Sequence, residues 1–237
     1  MQKVDIIYED ENILAVNKPS GFSVFPEGEE KGVALIDLLV DEFPELKKSG
    51  EPPRYGIVHR LDKKTSGVLL VAKDNSTLEF LQEKFKKGEV EKRYIALCYG
   101  LIPYKTGVIE TLMARSPKDR RKQKAYPLYD ILIKGKARKA ITHYRVLKKI
   151  QNYTLIELVI LTGRKHQIRC HMAHLGYPIA GDDLYGFRDT ETVEGLFRQF
   201  LHSQEIVIDT PKIKKKKIYC ELPNDLQKIL NNLEKNE

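Results

Sequence analysis

His59-Arg60-Leu61-Asp62-Lys63-Lys64-Thr65-Ser66-Gly67 is a polar stretch set between two apolar runs, Gly56-Ile57-Val58 and Val68-Leu69-Leu70-Val71. The runs read as strands, which makes the stretch between them a turn held on a rigid scaffold. Such turns are where catalytic and binding groups are commonly placed. Asp62 has Arg60 on one side and Lys63-Lys64 on the other, and that positive charge favours its ionised form. Thr65-Ser66-Gly67 adds two hydroxyls and a residue tolerant of unusual backbone angles. Taken alone, the stretch also has a plain reading: a solvated turn in which Asp62 caps local amides or pairs with Arg60.

The chain's 237 residues suit one large domain or two closely packed subdomains. At 41% hydrophobic and 31% charged, it can bury a core and keep a soluble surface. A formal net charge of +8 points to a polyanionic partner, nucleic acid or an acidic membrane surface. The sequence has no long apolar span and no basic-then-apolar leader, so a cytoplasmic protein without membrane attachment is expected. Cys98, Cys170 and Cys220 are odd in number and far apart, which suits buried thiols in a reducing compartment.

Upstream of the polar stretch, Val4–Tyr8 and Ile13–Val16 predict a β-hairpin, broken at Asn17-Lys18-Pro19-Ser20-Gly21. Ala34, Leu35, Leu38, Leu39 and Phe43 recur at helical spacing and stop at Pro44. Downstream, Ser76-Thr77-Leu78-Glu79 has capping-box form, and Gly88 ends the helix that follows. Lys92–Tyr99 reads as a strand with Tyr94 near its start. Ile141–Ile150 and Tyr153–Leu161 read as a long antiparallel pair joined by Gln151-Asn152. The second of these gives way after Gly163 to a helix through Ile168, Met172 and Leu175. Arg164 thus sits where a strand becomes a helix, a place where backbone donors and a cation can face an anion together. A short helix over Leu196–His202, a strand at Ile206–Ile208, a lysine-rich hairpin tip at Lys214–Lys217 and a closing helix from Pro223 complete the chain.

Arg115–Lys124 carries six basic residues, Arg120, Arg121 and Lys122 among them, against the single acid Asp119, with no helical or strand period. It predicts an exposed loop, and Lys134, Lys136, Arg138 and Lys139 form a second cluster. Each alone is a solvated face; two in succession, in a basic chain, predict a polyanion track. His166, His171 and His174 have no nearby carboxylate and are flanked by Arg164, Lys165 and Arg169, which repel a divalent cation. No metal site is expected. There is no Gly-rich nucleotide loop and no Gly-x-Ser-x-Gly elbow. What remains is a carboxylate in a scaffolded turn, an aromatic at a strand start, an arginine at a strand–helix junction and much positive charge. Those parts suit an enzyme that grips RNA and exposes a base.

The chain resembles the RluA-type family of RNA pseudouridine synthases. His59–Gly67 matches the family's nucleophile motif in full. Asn17–Gly21, Glu91-Lys92-Arg93-Tyr94, Leu161–Arg169, His174-Leu175-Gly176 and Gly181-Asp182 through Tyr185-Gly186 match further blocks in the family's order. The resemblance implies an α+β fold, a long, mixed and mostly antiparallel sheet with flanking helices and a central cleft. Residues 1–237 would form a single catalytic domain without the small S4-type RNA-binding domain of many relatives. It implies isomerisation of uridine to pseudouridine in tRNA or rRNA by a monomer without cofactor or metal. Asp62 would be the nucleophile, Tyr94 would stack on the flipped base, Arg164 would pair with Asp62, and Ile168 would pack on the base. Arg60 would reach the RNA where the base has left, and Arg120, Arg121 and Lys122 would contact the RNA backbone. The alternative is an RNA-binding protein of the same fold without activity.

Overall fold

The computed structural model describes residues 3–26, 32–130, 133, 137–187, 192–210 and 212–235. In chain order its elements begin β1 (Asp5–Glu9), β2 (Ile13–Lys18), α1 (Leu35–Glu42), β3 (Ser66–Ala72), α2 (Asn75–Lys87) and β4 (Glu91–Tyr99). They continue β5 (Thr106–Arg115), β6 (Gln123–Tyr126), β7 (Arg138–Ile150), β8 (Tyr153–Ile160) and α3 (Gln167–His174). The last are β9 (Leu201–Ile208), β10 (Lys216–Tyr219) and α4 (Asn224–Lys235). This is the expected α+β class, and it divides into two compact units. One comprises Met1–Lys92 with Ser203–Glu221, the other Arg93–His202 with Leu222–Glu237.

In the first unit β1, β2, β3, β9 and β10 are neighbours in that order. The pairings β1–β2, β2–β3 and β9–β10 are antiparallel. β3, Ser66-Gly-Val-Leu-Leu-Val-Ala, is buried at every position. Its Val68, Leu70 and Ala72 pack with Ile13 and Ala15 of β2, Leu78 and Leu81 of α2 and Ile206 and Ile208 of β9. Burying each large aliphatic side chain contributes about 1.5–3 kcal/mol, so this layer is the unit's main source of stability.

Four expectations for this unit are corrected. β2 runs through Asn17 and Lys18 to the residue before Pro19, because proline restricts its predecessor to extended backbone, which a strand already supplies. Gly56-Ile57-Val58 is not a strand. Only Ile57 makes a bridge, to Val71, and Gly56 lies against the backbone there: a Cβ would stand 2.0 Å from the Ala72 carbonyl oxygen. The cap of α2 is Asp74 rather than Ser76, its carboxylate accepting from the Thr77 N–H at 2.8 Å. Gly88 does end α2 in the left-handed conformation, at φ 73°. The lysine run splits, with Lys216 and Lys217 opening β10.

In the second unit β4, β8, β7, β5 and β6 are neighbours in that order, all antiparallel. The β7–β8 pair turns at Gln151-Asn152 as its spacing predicts. The basic segment expected to be a loop is a hairpin: β5 ends at Arg115, Ser116–Lys122 form the tip, and β6 returns from Gln123. A four-residue return strand is too short to show an alternating pattern in sequence. Lys134 and Lys136 of the second cluster lie outside the described residues, while Arg138 and Lys139 open β7. Residues 196–202 are not helical; β9 starts at Leu201. α4 buries Leu226, Ile229 and Leu230. Among the described residues no helix is long and apolar enough to cross a membrane.

Candidate active site

The loop that carries Asp62 is fixed in the first unit from four directions. It closes on itself where the Thr65 N–H donates to the Asp62 carbonyl at 3.0 Å. The turn after β2 clamps it: the Gly21 N–H donates to the Lys63 carbonyl at 2.8 Å, and the Ser20 hydroxyl donates to the Lys64 carbonyl at 3.0 Å. Beneath these, Lys18 has a fully buried side chain. Its ammonium donates to the carbonyls of Pro19 and Phe22, both at 2.8 Å, and of Lys63 at 3.1 Å. At the far end of the loop Gly67 has φ 115°, and a Cβ there would come within 2.1 Å of the Ser203 carbonyl oxygen. Only glycine fits that close approach.

The fourth anchor is His59. Its Nε2 accepts the Leu70 N–H of β3 at 3.0 Å, so Nδ1 carries the proton of the neutral ring. The ring stacks on Phe85 of α2 at 4.9 Å between centroids and 16° between planes. Burial, and after it the nearby Lys92 ammonium, push the imidazole pKa down to about 3. Lys92 is itself buried and is pushed down to about 8 for the same reason, donating to the Val90 carbonyl at 3.1 Å. Asp62 is thus half-buried between Leu61, which is buried, and the exposed Lys63.

In the second unit Tyr94 lies on β4 opposite Leu158 of β8 and is buried. Arg164 lies between β8 and α3, held by one glutamine. The Oε1 of Gln167 accepts from the Arg164 N–H at 3.0 Å and from the Thr162 hydroxyl at 2.7 Å. Its Nε2 donates to the Ile141 carbonyl and the Thr142 hydroxyl, both at 3.0 Å. All four bonds of the amide are made, which locks its orientation and the backbone at Arg164. The Arg164 guanidinium donates from Nε to the Lys139 carbonyl at 3.0 Å, and burial, then Arg138, lower its pKa. Ile168 is buried on α3.

Arg169, a second arginine of the same sequence block, has a different task. It forms a buried two-pronged ion pair with Asp182, at 2.7 and 2.8 Å, and Asp182 also accepts the N–H groups of Leu184 and Tyr185. The two ring nitrogens of His171 meet the hydroxyls of Thr111 and Thr142 at 3.0 and 2.9 Å. Tyr185 ties the basic hairpin to α3. Its hydroxyl accepts the Gln123 N–H at 2.7 Å and lies 3.2 Å from His166 Nδ1, and Lys122 stands over its ring. Of the three basic residues expected to contact RNA, Arg120 is exposed. Arg121 forms a two-pronged pair with Asp119 at 3.1 and 2.8 Å, which holds that carboxyl down to about 2.

Residues 12–174 match the family model described as RNA pseudouridylate synthase. The chain belongs to that family. Pseudouridine synthases are isomerases that convert uridine to pseudouridine in RNA, and the match contains Asp62, Tyr94, Arg164 and Ile168. The "Uncharacterized RNA pseudouridine synthase YlyB" of Bacillus subtilis is 37% identical over 98% of this chain and 74% of its own length. The "Ribosomal large subunit pseudouridine synthase D" of Borreliella burgdorferi is 37% identical over 99% of this chain and 70% of its own. An Aquifex aeolicus relative is covered over only 59% of its length, so the chain spans part of each of these proteins. The structure of "Human RNA Pseudouridylate Synthase Domain Containing 4" superposes with a TM-score of 0.76 at 26% identity, covering 97% of this chain and 92% of that one. Within this pseudouridine synthase, Lys18, His59 and Gln167 are the supporting residues that motif reading alone left without a role. All three stand inside matched blocks, so their presence was visible; their hydrogen-bonding tasks were not.

Two outcomes follow from these anchors. Lys18→Met leaves three part-buried carbonyls without their common donor and should cost at least about 2 kcal/mol, measured by urea unfolding at neutral pH. A loss below about 0.5 kcal/mol would show that the clamp holds without it. His59 binds a proton at pH below 6.5 in the unfolded chain but only near pH 3 when folded. It therefore erodes stability as pH falls through that window and has no effect above it. His59→Gln should flatten the fall in unfolding free energy between pH 6.5 and pH 4 by up to about 1.4 kcal/mol per pH unit. An unchanged slope would mean that the folded ring takes up its proton at the ordinary pH.

Proposed function

We propose that this pseudouridine synthase isomerises a uridine of large-subunit ribosomal RNA, with the Asp62 carboxylate as nucleophile and without metal or organic cofactor. The observation that carries the reading is the immobilised Asp62 loop, a carboxylate presented on a turn anchored at both ends. Reactive groups held in one geometry lower the barrier by removing the entropy of finding it. Arg60, Asp62, Tyr94, Arg164 and Ile168 are assigned to the same reaction by their match to the family's motifs. Asp62 attacks the target nucleotide and the N1 glycosidic bond breaks. The uracil turns and rejoins the ribose through C5 with release of the Asp62 carboxylate; the C5 proton leaves to solvent and N1, freed from the ribose, takes one up, so the product is an isomer of the substrate. Tyr94 stacks on the flipped base, Ile168 packs against it, and Arg164 binds the substrate. Extruding the base costs a few kcal/mol, offset by stacking and phosphate contacts.

The ribosomal substrate is favoured over tRNA because the relatives from Borreliella burgdorferi, Pasteurella multocida and Haemophilus influenzae carry that substrate in their names. A ribosomal target places the work in the cytoplasm, and a monomer suffices for it. Mapping pseudouridine in a strain lacking the protein identifies the position, and a change confined to tRNA would overturn the ribosomal assignment.

Tritium release from RNA labelled at uridine C5 tests the chemistry. Wild-type protein should release tritium from ribosomal RNA that lacks the modification, whereas Asp62→Asn should release none while binding RNA with nearly unchanged affinity. A comparable loss of affinity would make Asp62 a structural residue. Replacing Arg120, Arg121 and Lys122 together with Ala should weaken binding and reduce the dependence of log K on log salt, by about 0.7 for each lost contact to single-stranded phosphate. An unchanged slope would remove the hairpin tip from the RNA path.

A further inference from the structure

The arginines of the second unit sort by what they meet. Arg93 and Arg145 share Glu157, Arg121 pairs with Asp119, Arg169 with Asp182 and Arg198 with Asp225. Among the described residues Arg115, Arg138 and Arg164 have no carboxylate partner. These three come from separate segments. β5 and β7 pair so that Met113 stands opposite Arg138, and Arg115 follows two residues beyond Met113. Paired residues, and residues two apart on a strand, share a face of the sheet, so Arg115, Met113 and Arg138 lie on one face. Met113 packs there with Ala140 and with Cys170 of α3, and both arginines are exposed beyond that core. Arg164 reaches the same place from the connection between β8 and α3. Its Nε donates at 3.0 Å to the carbonyl of Lys139, the residue after Arg138. Arg138 is close enough to lower the Arg164 pKa, second only to burial.

Like charges on neighbouring positions of a sheet destabilise it, and partial burial of Arg164 weakens the screening that water supplies. Elsewhere in the unit a carboxylate removes such a cost. Here a ligand with several negative oxygens would supply the counter-charge on binding. Arg164 is also set in advance for one: a neutral carbonyl holds its Nε, which leaves the charge uncancelled and the terminal N–H groups to face outward. Planar guanidinium forks match phosphate oxygens two at a time. Three such forks drawn from β5, β7 and the β8–α3 connection suit a chain of phosphates better than one small anion.

We infer that Arg115, Arg138 and Arg164 form one binding face for phosphates of the RNA backbone, on the side of the second unit's sheet against which α3 packs. The inference rests on the isomerase reading for the identity of the polyanion. It regroups the two basic stretches of the sequence. Arg115 and Arg138, one from each stretch, join Arg164, whereas Lys139 lies on the opposite face and is held by Glu110.

The test is fluorescence-anisotropy binding of a labelled, uridine-containing single-stranded RNA between about 50 and 250 mM KCl, with the slope of log K against log salt as the readout. Arg138→Gln and Arg115→Gln should each raise Kd roughly tenfold, the worth of one charge-assisted contact, and reduce the slope by about 0.7. Arg138→Lys should keep the slope but recover only part of the affinity, because an ammonium does not grip two oxygens as a fork does. Lys214→Gln removes the same charge from an exposed position of the first unit and should leave Kd and slope at their wild-type values. Folding should respond in the opposite sense to binding: relief of repulsion should leave the urea midpoint of Arg138→Gln at or above that of wild type. An unchanged slope in either glutamine variant would overturn the site. So would an equal loss of slope in Lys214→Gln, which marks bulk charge, or weaker binding explained by a lowered midpoint with the slope kept, which marks a packing role. If Arg138→Gln does not fold, Arg115→Gln carries the test, with an unchanged slope again overturning the site. Binding is read without turnover, so a wild-type protein that binds in this way but releases no C5 tritium would overturn the isomerase reading and leave the phosphate site standing.

Discussion

A fully buried ammonium does more for the first unit than any other single group. Lys18 sits at the end of β2 and gathers the carbonyls of Pro19, Phe22 and Lys63 around its charge. Burying a cation is costly unless its hydrogen bonds are made, and a cation shared among several carbonyls ties their chain segments into one geometry. One of those segments follows Asp62 directly. A hydrophobic residue at position 18 would fill the same space but could not hold three carbonyls of two loops, so the polar choice favours one loop geometry over alternatives.

The second unit solves the same problem with a neutral group. Gln167 uses both lone pairs and both amide hydrogens to join the Arg164 backbone to β7. The two units therefore share a logic: a candidate site side chain on a short connection, and behind it a buried polar residue that hydrogen-bonds several chain segments at once. The histidines fit this pattern. His59 and His171 are kept neutral by burial and serve as fixed hydrogen-bonding partners. Their use at neutral pH is structural, and its consequence is sensitivity to acid.

Much of the fold was legible because periodicity reports burial directly. The β1–β2 hairpin, α1, α2, β3, the β7–β8 pair, α3 and α4 all carry apolar spacings long enough to read. The misses have separate causes. Gly56–Val58 is apolar because it packs on β3, not because it pairs in a ladder, and composition does not separate the two. β5 and β6 were hidden by the cationic residues of the tip between them. The family and its motif blocks were plain in sequence, while the division of labour inside each block was not. Arg164 and Arg169 are five residues apart in one block. Only coordinates show that Arg169 is occupied by Asp182 whereas Arg164 takes a backbone carbonyl. Arg54 carries no motif at all, and its place over Phe25 depends on two loops meeting in space.

The net charge of +8 counts every cation alike, whereas the structure ranks them. Arg169 and Arg198 are buried against Asp182 and Asp225 and serve the fold. Lys73 and Lys84 meet Glu9 and Glu89 at the surface, pairs that water and salt largely screen. Arg121 is offset by Asp119 on the hairpin tip itself. Polyanion attraction therefore does not fall evenly on the basic surface. Other cations stand over aromatic rings: Arg54 on Phe25, Lys122 on Tyr185 and Lys124 on Tyr126. A ring keeps a cation in place without cancelling its charge, which an acidic partner does. That is the arrangement a phosphate backbone can use.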